Sequence, residues 1–173
     1  AFEHEDAFEG TDGMITKAAG VYLVIQVADC VPVLLFDPVQ KVVGAVHAGW
    51  RGTMKGIVQK TVEKMKREFC CSPRGIVAGI GPSIGPCCYE ATDKDLLSKW
   101  ERMFQTKDKV VVAREGKMFL DLWQANKVQL MRSGVGEGNI ELAGICTSCH
   151  MDEFYSYKKE GITGRFGAGI FIN

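Results

Sequence analysis

Cys30 and His47 are the two residues of this sequence whose types and spacing promise chemistry. Between Val31 and His47 the pattern reads strand, Asp37-Pro38-Val39-Gln40 turn, strand. A turn there predicts a hairpin whose paired residue numbers sum to about 79. Pro32 then lies opposite His47, and the period-two alternation of strand side chains sets Cys30 and His47 on one face as near neighbours. A thiol beside an imidazole supports two chemistries: a thiolate nucleophile activated by the ring, or a shared metal site of sulfur and nitrogen ligands. Both need partial exposure. A buried cysteine next to a strand histidine satisfied by backbone is the chemically inert arrangement of the same pair.

The surrounding residues are Ala28-Asp29-Cys30-Val31-Pro32 and His47-Ala48-Gly49-Trp50-Arg51-Gly52-Thr53. The second segment is a strand-to-helix junction, where backbone N–H groups and the Arg51 guanidinium offer an anion a place to sit. Arg165, in Thr163-Gly164-Arg165 shortly after Tyr157 and Lys158, could present charge and an aromatic face to a nucleoside phosphate or purine. Cys146-Thr147-Ser148-Cys149-His150 has metal-ligand spacing, yet a zinc ribbon needs a second pair and only vicinal cysteines are on offer, so a structural role is expected. Gly81-Pro82-Ser83-Ile84-Gly85-Pro86 follows a strand but lacks the lysine and hydroxyl of a P-loop, and reads as a tight turn beside the active hairpin, where Cys87 or Cys88 could line the same cleft.

These residues must be positioned by a scaffold, and the chain predicts one. Tyr22–Val27, Val33–Phe36 and Val42–His47 are β-branched or aromatic runs bounded by Gly, Asp or Pro, the signature of strands. Pro32 cannot donate to a ladder, which argues that its strand begins at an edge or bulge. Thr53 can cap a helix to about Phe69, since Met54, Ile57, Val58, Val62, Met65 and Phe69 recur at spacings of three or four. Further on we expect a buried strand over Gly75–Ile80, a helix from Thr92 or Asp93 to Phe104, short strands at Val110–Ala113 and Met118–Leu120, and a helix from Asp121 to about Arg132. Strands near Ile140–Ile145, Phe154–Tyr157 and Gly167–Ile172 close the chain. The expected fold class is α/β, with mixed β-sheets flanked by helices in one domain over residues 1–173, rather than a doubly wound parallel fold.

Composition bounds the function. Of 173 residues, 46% are apolar and 24% charged, which suits a single globular domain with a sizeable core. Basic and acidic residues balance at 21 each, so no overall field favours nucleic acid or an acidic membrane, and any charged ligand must be held locally. The longest apolar runs fall well short of the roughly 20 residues that span a bilayer. Residues Ala1–Gly10 are acidic and aromatic, unlike a secretory signal, and the missing initiator methionine suggests a truncated or processed chain. Seven cysteines, four of them in vicinal pairs, form a poor disulfide framework, so a reducing cytoplasmic setting is expected.

Taken together, Ala28–Pro32, His47–Thr53, the segment from Gly81 to Glu90, Cys146–Cys149, Phe154–Tyr157 and Thr163–Arg165 make the chain resemble the YfiH-type family. That family also contains the mammalian protein known as FAMIN, and was formerly named the multicopper polyphenol oxidase or laccase-domain family. The resemblance implies a layered α/β/α fold and phosphorolysis of adenosine, inosine and S-methyl-5'-thioadenosine, together with deamination of adenosine. It implies that Cys30 and His47 are catalytic and bind zinc, with copper a possible substitute, alongside a second histidine from an upstream Gln-Val-His-Gly segment. That segment is absent from this sequence, and His4 lies nearer to Cys30 than the family's histidine would. Arg51 and Arg165 are the implied contacts to purine nucleoside and phosphate. Phenol oxidation at several coppers would demand more imidazoles than the three histidines present. A cysteine hydrolase or deamidase built on Cys30 and His47, and a nucleoside-binding module without turnover, are the remaining alternatives.

Overall fold

The computed structural model describes residues 10–173. His4, the candidate substitute ligand, lies outside the described residues.

A five-stranded sheet forms the centre, built from β1 (Gly13–Thr16), β3 (Val31–Asp37), β4 (Val42–Ala48), β5 (Val77–Ile80) and β8 (Ile140–Leu142). Its order is β1-β4-β3-β5-β8, antiparallel except for the parallel β5–β8 pair, so the sheet is mixed. Alternation along β3 sends Val31, Val33 and Leu35 to one face, where they are fully buried. That face is covered by α1 (Trp50–Met54), α2 (Ile57–Phe69) and α4 (Leu122–Arg132), while Trp100 and Phe104 of the α3 region (α3, Lys94–Met103) join the same core. The opposite face carries Leu34, Val43 and Ala45. It is covered by a two-stranded ribbon of β2 (Leu23–Val27) and β9 (Phe166–Ile170), whose Leu23 and Ile25 close a smaller core. A second ribbon pairs β6 (Val111–Arg114) with β7 (Lys117–Leu120). The expected mixed α/β single domain is thus present, with its layers in the order helices, sheet, ribbon.

Local rules explain most boundaries. In α2, Val58, Thr61, Val62 and Met65 are buried at spacings of three or four, while Lys60, Glu63, Lys64 and Lys66 face water. Truncating the fully buried Met65 to alanine would cost about 2–5 kcal/mol by the usual cavity and transfer terms. The helix expected from Thr53 to Phe69 is in fact two. Gly56 adopts a left-handed conformation (φ 68°) that breaks the run, and Thr53 lies buried inside α1 instead of capping it. Asp93 and Asp121 do cap α3 and α4, their carboxylates accepting from backbone N–H groups of the first turn.

Two further expectations are corrected. Residues 154–157 form no strand; instead α5 (Tyr157–Glu160) opens there after Ser156, whose backbone N–H donates to Glu160. Pro32 belongs to a central strand, not to an edge. The β3–β5 ladder stops at Val33↔Ile80, so no partner awaits the N–H that Pro32 lacks, while its carbonyl accepts from Gly81. No helix among the described residues is long and apolar enough to cross a membrane.

Candidate functional site

The β3–β4 register is the predicted one: Val31 pairs with Ala48 and Pro32 with His47. Cys30, immediately before β3, therefore lies beside His47 on one face, close enough for the thiol to act on the imidazole. On the far side of the ring, Nδ1 lies 2.9 Å from Asp12 Oδ1, and the His47 backbone N–H donates to the Asp12 carbonyl at 2.7 Å. With Nδ1 committed to a carboxylate, Nε2 is the nitrogen left to meet a metal or a thiol. The Cys30 contact raises the imidazole from its ordinary 6.5 to about 9; burial opposes this and Asp12 adds to it.

Gly49 makes room for the pair. A methyl group there would stand 2.8 Å from Cys30 Sγ and 4.0 Å from the His47 ring. Its backbone (φ −66°, ψ 171°) suits any residue, so the requirement for glycine is purely one of space.

Cys30 opens on a cleft of about 400 Å³ whose walls include Asp29, Trp50, Tyr89, Tyr157 and Lys158. Three aromatic residues around a thiol give a site shaped for a flat, partly polar ligand. Tyr89 is pushed up to about 12 chiefly by burial; Cys30 adds to that shift and Arg51 opposes it, so the phenol feels both groups. Arg51 is exposed at the start of α1, its guanidinium 4.4 Å from the Trp50 ring centre. Arg165 stands further out. It donates to its own neighbours' carbonyls, Thr163 and Gly164, and lies 5.9 Å over Tyr157, at the rim rather than on the wall.

Sequence reasoning missed Asp12 and Asp29. Asp29 is buried and gathers three distant donors: Thr147 Oγ at 2.6 Å, Ser148 Oγ at 3.5 Å and the Lys158 N–H at 2.7 Å. The hydroxyls between Cys146 and Cys149 thereby fix the residue next to Cys30. The Gly81–Pro86 turn joins in, with Ile84 N–H donating to the Asp29 carbonyl and Thr147 N–H to that of Ser83. No local signal marks either aspartate, since their partners lie 35 and more than 100 positions away.

A family described as multi-copper polyphenol oxidoreductase laccase matches residues 1–173. The chain belongs to this laccase family. A purine nucleoside phosphorylase of Bacteroides thetaiotaomicron is 39% identical over 174 residues, covering 99% of this chain and 64% of that protein. An adenosine deaminase named RL5, from an unknown prokaryote, is 37% identical, covering 98% of this chain and 65% of its own. The crystal structure of a Bacillus licheniformis protein titled YfiH aligns at a TM-score of 0.88 with 38% identity, over 94% of this chain and 62% of that one. The chain spans less than two thirds of the length of these relatives.

In this laccase-family chain the fold also assembles a second set of soft ligands. The sulfurs of Cys87, Cys88, Cys146 and Cys149 all lie within 4.8 Å of one another. The vicinal pair passed over as an unsuitable complement to Cys146 and Cys149 is thus brought onto them. Burial, reinforced by neighbouring thiols, pushes Cys87 up, and pushes Cys88 up to about 11. Burial acts the same way on Cys146, but the Gly85 N–H and adjacent thiols outweigh it and bring that group down.

Proposed function

We propose that this chain carries the centre of a zinc-dependent purine nucleoside enzyme, which phosphorolyses adenosine, inosine and S-methyl-5'-thioadenosine and deaminates adenosine. The observation that carries the reading is Cys30 on the wall of an aromatic cleft, with His47 beside it across the β3–β4 register. The relatives named purine nucleoside phosphorylase and adenosine deaminase support it.

The donor types fit zinc, which takes thiolate sulfur and imidazole nitrogen together, and Cys30 and His47 would supply two of the three protein ligands that a catalytic zinc uses. The Asp12 carboxylate behind His47 is the outer partner that such a ligand uses to fix its tautomer. Copper suits the same two donors. Zinc, when bound, supplies a Lewis acid that prepares water for attack at neutral pH.

The chain's own residues do the rest. Trp50, Tyr89 and Tyr157 offer faces on which a purine stacks, and Arg51 and Lys158 bring positive charge to phosphate at the cleft edge. Arg165 steadies Tyr157 from outside. Phosphorolysis needs phosphate held beside the anomeric carbon; deamination does not. The test is product identification from adenosine with and without phosphate, alongside zinc analysis. Hypoxanthine or adenine with ribose 1-phosphate, and inosine, are expected, and C30A and H47A should abolish both activities. Absence of all these products from a zinc-loaded chain overturns the proposal.

One observation favours a second reading. His47 stands between Cys30 and Asp12, its Nδ1 hydrogen-bonded to the carboxylate, the order used by cysteine hydrolases. A metal-independent acyl adduct on Cys30, seen by mass spectrometry with an amide substrate, would select it over the zinc enzyme.

A further inference from the structure

The four-cysteine cluster stands apart from the dyad in composition and in support, and nothing in the proposed reaction uses it. Two turns build it. In the first, the Cys88 and Tyr89 N–H groups both donate to the Gly85 carbonyl, and the Cys87 and Cys88 sulfurs both come within reach of Cys149. In the second, the Cys149 and His150 N–H groups both donate to the Cys146 carbonyl. Each turn therefore presents two sulfurs, and the turns are clamped to each other by a parallel bridge between Ser83 and Cys146.

The sulfur geometry is close to what a tetrahedral cation demands. A zinc–sulfur bond of about 2.3 Å implies sulfur–sulfur edges of about 3.8 Å in a regular tetrahedron. Here Cys87 and Cys149 are 3.6 Å apart, Cys88 and Cys149 3.4 Å, and no pair exceeds 4.8 Å.

The surroundings suit a negatively charged thiolate centre. The Gly85 N–H donates to Cys146 Sγ at 3.2 Å, and the Arg114 guanidinium donates to the Cys87 carbonyl at 2.9 Å, bringing a fixed positive charge beside the cluster. The frame is rigid as well. Trp123 donates to Ser83 Oγ at 2.7 Å, and its ring packs so closely on Gly85 that a methyl group there would approach to 2.6 Å. His150 stands outside the four-sulfur group, its Nδ1 hydrogen-bonded to the Cys146 carbonyl.

We propose that Cys87, Cys88, Cys146 and Cys149 form a structural tetrathiolate site for zinc. Binding exchanges four S–H protons, released to solvent, for four zinc–sulfur bonds, with no change of oxidation state. The ion ties the Gly81–Glu90 segment to the Cys146–Cys149 turn, and through Thr147 and Ser148 it stiffens Asp29 beside Cys30. The site is independent of the function proposed for the cleft.

The test uses the reduced chain carrying C30A and H47A, so that remaining metal reports the cluster alone. Equilibration with zinc followed by dialysis should leave about one zinc per chain, the stoichiometry of a closed four-ligand site. Cobalt(II) in its place should give the thiolate-to-metal charge-transfer absorption of four sulfurs. Adding C149S or, separately, C87S should bring zinc close to zero and remove the absorption. Both side chains are exposed, so either variant should keep its circular dichroism spectrum. C70S, which alters an exposed cysteine elsewhere, should leave zinc unchanged. A folded C30A/H47A chain without zinc overturns the proposal. Zinc retained undiminished in both C149S and C87S overturns it as well. So does a non-reduced mass lacking two hydrogens with no metal bound, which would make the cluster a disulfide.

Discussion

Replacing Asp12 by asparagine tests how the dyad is tuned, because the carboxylate acts on His47 in two opposed ways. As an outer partner of a metal ligand it makes the imidazole a better donor, and losing such a partner typically weakens metal binding about ten- to a hundredfold. Asp12 is 56% exposed and His47 34%, so the low end applies: about tenfold, or about 1.4 kcal/mol. The same carboxylate helps to hold the ring's pKa up, at about 9. At pH 7 a proton then occupies roughly 99 of 100 metal-free rings, so zinc must displace it at a cost of about a hundredfold in affinity. D12N lowers that pKa and relieves part of the competition. We therefore expect a clear loss of zinc affinity, about tenfold, near pH 9.5, and a distinctly smaller loss at pH 7. The assay is competition with a chelator of known affinity at both pH values, on chains with C149S to silence the cysteine cluster. The fold should survive, since the β1-side bond from His47 N–H goes to the backbone carbonyl of Asp12. Equal losses at both pH values, or none at the higher one, would refute the argument.

Other consequences can be measured directly. The metal-free chain should hold its dyad-derived stability below about pH 6.5, where His47 is protonated folded and unfolded, and lose it as pH rises through about 9; thermal melts across that window, with and without H47Q, check the sign. G49A forces a methyl group to 2.8 Å from Cys30 Sγ without backbone strain, so zinc affinity at the dyad should fall about ten- to a hundredfold while the circular dichroism spectrum stays unchanged. D29N cannot accept from all of Thr147, Ser148 and Lys158, and a buried unsatisfied donor should cost about 1–3 kcal/mol, read as a Tm lowered by several degrees. R51A should impair phosphorolysis about ten- to a hundredfold and deamination less, because only the first reaction holds an anion; equal losses with zinc retained would reassign Arg51 to the shared nucleoside site or the fold.

The hairpin was legible because a four-residue turn sets register by arithmetic, and register sets the face on which Cys30 and His47 appear. The caps at Asp93 and Asp121 were legible for a similar reason: a side chain and its own first turn are local. The single long helix was misread at Gly56 because apolar spacing runs on through a left-handed residue that the pattern does not register. Residues 154–157 mislead through aromatic content, which reads as strand although Ser156 opens a short helix. Asp12, Asp29 and the four-sulfur cluster were out of reach for a different reason. Each depends on segments joined only by the closed sheet, and no spacing along the chain encodes that meeting.

The ribbon that covers the back of the sheet pairs Leu23 with Ile170 and Val27 with Phe166. Cys30 follows only three residues beyond this clasp, and Tyr157 and Lys158 lie shortly before its other strand. During vectorial synthesis the β3–β4 hairpin can close early, since its contacts are short in sequence. The cleft cannot. One wall and the anchor of Asp29 arrive only when residues 147–158 have emerged, and the clasp forms later still. A nascent chain halted before that point would carry Cys30 and His47 without an enclosing pocket, so ligand capture must wait until the residues up to Lys158 have been made.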